Sequence, residues 1–270
     1  MLDFSFLGML PNQSIVKPVS RSCHHGDVKR PNELEAALTV ARQNPEIEVF
    51  EIDFVDAGGP HKRLVSSHDY NERAIARGSD LIQWLEQLVI GMNKILWIDV
   101  KQNLDLYFAW SYPKFHTRRL FRQLSQFSEK HPEIRQRVWI GCQDCALRAS
   151  LLAHNEALPL EHRWKFILDM PTVEGYVWQR LIPKWSCCGE PQRNLRQYVY
   201  EQFRETDYQN YDRISLDKDF FQGPDKVKEF VRSLKLRPDV LIILNSFSQR
   251  QPPIFLEDHT IVMQYDYTCK

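Results

Sequence analysis

The run Ile47-Glu48-Val49-Phe50-Glu51-Ile52-Asp53-Phe54 decides how this chain is read. Its β-branched and aromatic residues mark a strand, and two carboxylates are set into it two positions apart. Residues i and i+2 of a strand project to the same side, so Glu51 and Asp53 can reach one ion. Three more apolar runs end in comparable chemistry. Residues 15–23 lead into His24-His25-Gly26, 64–67 lead into His68-Asp69, and 95–100 carry Asp99 and deliver Lys101. Two histidines, three carboxylates and a lysine at neighbouring strand ends suit phosphodiester cleavage, which needs an acid, a base, a divalent cation and a fixed positive charge.

Outward from this run, strand-length apolar segments recur at 19–23, 47–54, 95–100, 138–142, 166–168, 214–216, 240–244 and 261–265. Helical patterns separate most of them. Residues 31–43 place Leu34, Ala37, Leu38 and Ala41 on one face, and 80–90 do so with Leu81, Trp84, Leu85 and Leu88. Residues 117–130 repeat the pattern with Leu120, Phe121, Leu124 and Phe127, and 224–236 with Val227, Phe230, Val231 and Leu234. Strands alternating with helices imply a parallel sheet, and about eight such units imply closure into a (β/α)8-type barrel, the TIM barrel. Two irregularities are expected: residues 64–67 as the second arm of a hairpin turning at 56–60, and a proline-bearing loop without a helix between the last two strands. Residues 172–209 are the least regular part. With no repeat or linker, the expectation is one α/β barrel domain over 1–270, irregular in its C-terminal half.

Composition narrows the function classes. The 270 residues carry 35 basic and 35 acidic side chains, a net charge of +0, so bulk electrostatics do not indicate a nucleic-acid partner. No segment approaches the roughly 18 consecutive apolar residues of a membrane span, and the first ten residues lack the features of a signal peptide. The six cysteines are scattered, with Cys187 and Cys188 adjacent. That favours reduced thiols and a cytoplasmic location over a disulfide framework or a zinc site built with Cys142-x-x-Cys145. His116 and His259 fall outside every motif and read as loop residues.

The ordered set of motifs resembles the phospholipase-C-like phosphodiesterase superfamily, in particular the glycerophosphodiester phosphodiesterases. Their His-Arg-Gly, Glu-x-Asp, His-Asp and Glu-x-Lys match His24-His25-Gly26, Glu51-Ile52-Asp53, His68-Asp69 and Asp99-Val100-Lys101 over residues 19–101. Four departures stand out. His25 replaces the arginine, Asn32-Glu33-Leu34 only echoes the family's Glu-Asn-Thr, and Asp99 replaces glutamate as in the sphingomyelinase D branch. Only about 25 residues separate Asp69 from Ile95, too few for the usual insertion domain. The resemblance implies a TIM barrel that hydrolyses a glycerophosphodiester-like or lysophospholipid-like substrate. It implies Glu51, Asp53 and Asp99 as ligands of one divalent cation, Mg²⁺ or Ca²⁺. His24 and His68 would form the acid–base pair, with Lys101 beside the phosphoryl group. His25, Asn245 and Tyr265 are candidates for lining the substrate cleft. The alternative is a catalytically silent barrel kept as a phosphoester-binding module.

Overall fold

A computed structural model of the chain describes residues 20–24, 30–57, 63–67, 72–101, 112–142, 145–169, 211–217, 224–234, 236–237, 239–246 and 261–265. For some of these, including His24, Asn245 and Tyr265, only the backbone is described. Nine strands form one sheet: β1 (Ser20–His24), β2 (Ile47–Asp56), β3 (Leu64–Ser66), β4 (Ile95–Val100), β5 (Val138–Gly141), β6 (Lys165–Asp169), β7 (Arg213–Asp217), β8 (Leu241–Ser246) and β9 (Ile261–Tyr265). Their order is β1-β9-β8-β7-β6-β5-β4-β2-β3, and β1 also pairs with β2. That pairing closes the sheet into a barrel of eight parallel strands. β3 is the exception. It lies antiparallel on the end of β2, with Phe54 opposite Ser66 and Asp56 opposite Leu64, which is the expected hairpin.

The alternation of side chains along each strand builds two apolar layers. On β2, Phe50, Ile52 and Phe54 join the outer layer between barrel and helices, while Val49 joins an inner cluster with Trp97, Trp139, Ile167 and Ile243. Among the described residues, the helices around the barrel are α1 (Leu34–Gln43), α2 (Glu72–Arg77), α3 (Leu81–Trp84, running on as a π-helical turn over Leu85–Ile90), α4 (Tyr112–Ser128), α5 (Cys145–Glu156) and α6 (Pro224–Ser233). Every apolar residue named from the four sequence patterns is buried. α3 opens on a capping box, with Asp80 accepting from Ile82 N–H and Gln83 accepting from Asp80 N–H. Its Trp84 packs edge-on against Phe54 at 6.3 Å.

Inside the barrel, the indole of Trp97 sets the floor of the mouth at which the strands end. Gly141 stands opposite Asp99 in the β4–β5 register. A Cβ at this glycine would lie 2.5 Å from Trp97 Nε1, so the missing side chain is what admits the ring. Further down the axis, the Arg213 guanidinium stacks 4.4 Å from the Trp139 ring centre.

Two expectations are corrected. Cys23, buried in β1, is disulfide-bonded, its partner lying outside the described side chains, so the cysteines are not all reduced thiols. Scattered spacing carries no information about which strands the fold brings together, and the thiol argument for a cytoplasmic location falls with it. His116 is not a loop residue: it is buried within α4. Among the described residues, no helix is long and apolar enough to cross a membrane. The irregular stretch at 172–209 and the loop between β8 and β9 lie outside the described residues.

Candidate active site

The strand register gathers the charged residues at the C-terminal mouth of the barrel. Asp53 on β2 stands opposite Asp99 on β4, and Glu51 stands opposite Trp97 on one side and His24 on the other. Glu51, Asp53 and Asp99 keep 5%, 0% and 1% of their surface, a degree of burial that an ionised carboxylate tolerates only with a partner. Lys101 is such a partner. Its ammonium lies 3.1 Å from Asp53 Oδ1 and donates to Asp99 Oδ2. Its backbone N–H donates to Phe54 O at 2.9 Å, which carries the β2–β4 ladder one residue further and holds the side chain level with the carboxylates. Burial opposes the charge on Lys101, but Asp53, Asp99 and Glu51 outweigh it and hold the pKa well above the ordinary lysine range. The residue is therefore a fixed cation and has no proton-accepting role near neutral pH.

Asp53 is held from a second side by a residue that the motif reading did not select. Asn32 is buried in the segment ahead of α1, and its amide donates to Asp53 Oδ2 at 3.0 Å while its carbonyl oxygen accepts from Asp53 N–H at 2.9 Å. Ser66 Oγ donates to Asn32 O at 2.7 Å and accepts from Ser79 N–H at 3.1 Å. An asparagine just before a helix reads as a local turn residue; its pairing with a strand 21 positions away has no signal in a single sequence.

A cation site can be tested on the donors present. Among the described residues, no three His, Cys, Asp or Glu groups stand at the spacing of a metal centre, and Lys101 spans Asp53 and Asp99. The donor chemistry fits a hard divalent ion nonetheless: three carboxylates face one ammonium, and Asp99 Oδ1 is buried without a hydrogen-bond partner.

The remaining candidates are placed less fully. His25, His68 and Asp69 lie outside the described residues. Asn245 ends β8 opposite Asp217 and Gln264. Val262 is level with Ile243 of the inner cluster, so position 264 shares the inner register with Asn245, whereas Tyr265 is level with Cys23 and Ser246. On the outer side of the end of β2, Arg119 of α4 forms an ion pair with Asp56, the two side chains 15% and 4% exposed. His116 sits in the same neighbourhood. Burial, with Arg119 adding to it and Asp56 opposing, lowers its pKa to about 4, so the imidazole is neutral.

No protein-family model matches the sequence, and a search of curated proteins finds no relative. Solved structures do match. A glycerophosphodiester phosphodiesterase from Agrobacterium tumefaciens str. C58 superposes with a TM-score of 0.52 at 10% identity, over 93% of this chain and 98% of the other. A provisionally assigned glycerophosphodiester phosphodiesterase from Galdieria sulphuraria gives 0.55 at 13% identity, over 95% and 98%. A provisionally assigned glycerophosphoryl diester phosphodiesterase from Silicibacter pomeroyi DSS-3 gives 0.54 at 13%, over 93% and 91%. At such identities the likeness speaks for the fold. A closed barrel of eight parallel strands is the fold this chain shares with these glycerophosphodiester phosphodiesterases.

Proposed function

We propose that the chain is a metal-dependent phosphodiester hydrolase acting on a glycerophosphodiester-like or lysophospholipid-like substrate. The observation that carries the reading is the convergence of Glu51, Asp53, Asp99 and Lys101 at one barrel mouth, with His24 beside Glu51 in the register. Three buried carboxylates around one lysine are a costly arrangement for a structural plug, and the C-terminal mouth is where barrels place their chemistry.

In this reading Glu51, Asp53 and Asp99 hold one divalent cation, Mg²⁺ or Ca²⁺, which would withdraw charge from the phosphoryl oxygens. Lys101 supplies a permanent positive charge on the same side, where negative charge grows in the transition state. His24 accepts the proton of the attacking hydroxyl, whether water or a neighbouring hydroxyl of the substrate, and His68 protonates the departing alkoxide oxygen. Asp69 orients His68. His25 and Asn245 border the substrate, and Tyr265 completes that set at the end of β9.

The test is a product screen on glycerophosphodiesters, lysophospholipids, cyclic nucleotides and bis-p-nitrophenyl phosphate, with Mg²⁺, with Ca²⁺ and with chelator. Cation-dependent release of a monoester or cyclic phosphate, abolished in His24→Ala and His68→Ala, is the expected result. A nitrophenolate needs little protonation as it leaves, so a nitrophenyl ester should rescue His68→Ala and not His24→Ala. Full turnover in chelator would end the metal-dependent reading. Tight binding of a phosphoester with no turnover on any substrate would establish instead a silent, phosphoester-binding barrel.

A further inference from the structure

We infer that Asn32 is a positioning residue for this site, one that sets the orientation of the Asp53 carboxylate from the segment ahead of α1. The inference rests on the proposed use of Asp53 as a cation ligand. Asn32 has a backbone φ of 62°, in the left-handed region where asparagine is among the few side-chain-bearing residues that settle at low cost. That conformation places its amide against Asp53 twice. The amide oxygen accepts from Asp53 N–H at 2.9 Å, which leaves Nδ2 as the group that faces the carboxylate, where it donates to Oδ2 at 3.0 Å. The two bonds close a ring around the Asp53 side chain, and Oδ1 is left directed at Lys101, 3.1 Å away.

The clamp is itself braced. Ser66 Oγ donates to the Asn32 carbonyl and is fixed by Ser79 N–H, while Ser67 N–H donates to the Asp53 carbonyl at 3.0 Å. The residue after β3 and the segment ahead of α1 therefore both hold one strand residue. An amide suits the position because it is a neutral donor: it restrains one oxygen without neutralising the carboxylate that a cation would need. Aspartate has the same shape but turns a repelling oxygen toward Oδ2.

The test compares wild type with Asn32→Gly and Asn32→Asp, by crystal structure, by thermal melting and by calorimetric titration with Mg²⁺ or Ca²⁺ alone. Glycine keeps the left-handed turn and removes only the side chain, so a role confined to the turn predicts an unchanged Asp53 rotamer and unchanged cation affinity. The positioning role predicts a folded barrel whose Asp53 carboxylate has rotated, with cation affinity lower by about 10–100-fold, the usual loss when a ligand's supporting hydrogen bond is removed. If Asn32→Gly does not fold, Asn32→Asp keeps the acceptor for Asp53 N–H and is expected to show the same rotation. An Asp53 side chain that holds its orientation in the folded variant, with affinity within about twofold of wild type, overturns the inference. Absence of any cation binding by the wild type would instead remove the proposed metal dependence, and the Asp53 rotamer in the variant would still decide the role of Asn32.

Discussion

Acidification should destabilise this barrel through His116, and the size of the effect follows from its environment. The imidazole is buried within α4, and its pKa falls from the ordinary 6.5 to about 4 on folding. The unfolded chain therefore binds a proton between roughly pH 6.5 and pH 4 that the folded chain refuses, and stability rises with pH across that window. The contribution is fully present above pH 6.5. Near pH 5 about 2 kcal/mol of it is gone, and below pH 4 the loss levels off at about 3 kcal/mol. Urea unfolding at about pH 7.5 and about pH 5 would measure this directly in wild type and in His116→Gln, which is neutral throughout. The wild type should lose about 2 kcal/mol more than the variant between the two conditions. Equal losses in both proteins would refute the argument, because the other titrating groups are common to the pair.

Three further outcomes are expected. Gly141→Ala forces a methyl to within 2.5 Å of Trp97 Nε1, so it should cost about 1–3 kcal/mol and shift the indole fluorescence; an unchanged Tm and spectrum would mean that Trp97 is not held as described. A double-mutant cycle on Asp56 and Arg119, whose side chains are 4% and 15% exposed, should return a coupling of about 1–3 kcal/mol, and a value under about 0.5 would class the pair with ordinary surface ion pairs. Lys101→Met strips the counter-charge from two buried carboxylates. Unfolding free energy should drop by about 2–4 kcal/mol and recover in part when Mg²⁺ or Ca²⁺ is added. Recovery with NaCl of equal ionic strength would point to screening and not to a cation site.

Much of the architecture can be traced to local pattern. The apolar periodicities that singled out Leu34, Leu81, Leu120 and Val227 select residues that are buried, because a helix on a barrel must bury one stripe wherever it sits. The pairing of Glu51 with Asp53, and of Asp99 with Lys101, was legible for a similar reason: period two along a strand is a local property. α5 was less legible: it is not among the four helical patterns read from the sequence. His116 was misread because it lies in the first turns of α4, ahead of the periodic stretch that begins at 117, and nothing local distinguishes a buried imidazole from an exposed one.

What the amino-acid order determined by itself is the barrel strands, the hairpin arm, four of the helices, and which residues stand at strand ends, all consequences of backbone geometry and side-chain period within a few residues. Tertiary structure alone decided the rest. It brought β1 against β2 to close the barrel, set Asp53 opposite Asp99, and placed Lys101 between their carboxylates. It also turned Asn32 onto Asp53, fitted Trp97 into the space left by Gly141, and made Cys23 half of a disulfide. Each of these joins residues far apart in the chain, and the energy of such a contact depends on distance and burial, quantities that exist only once the whole sheet has closed.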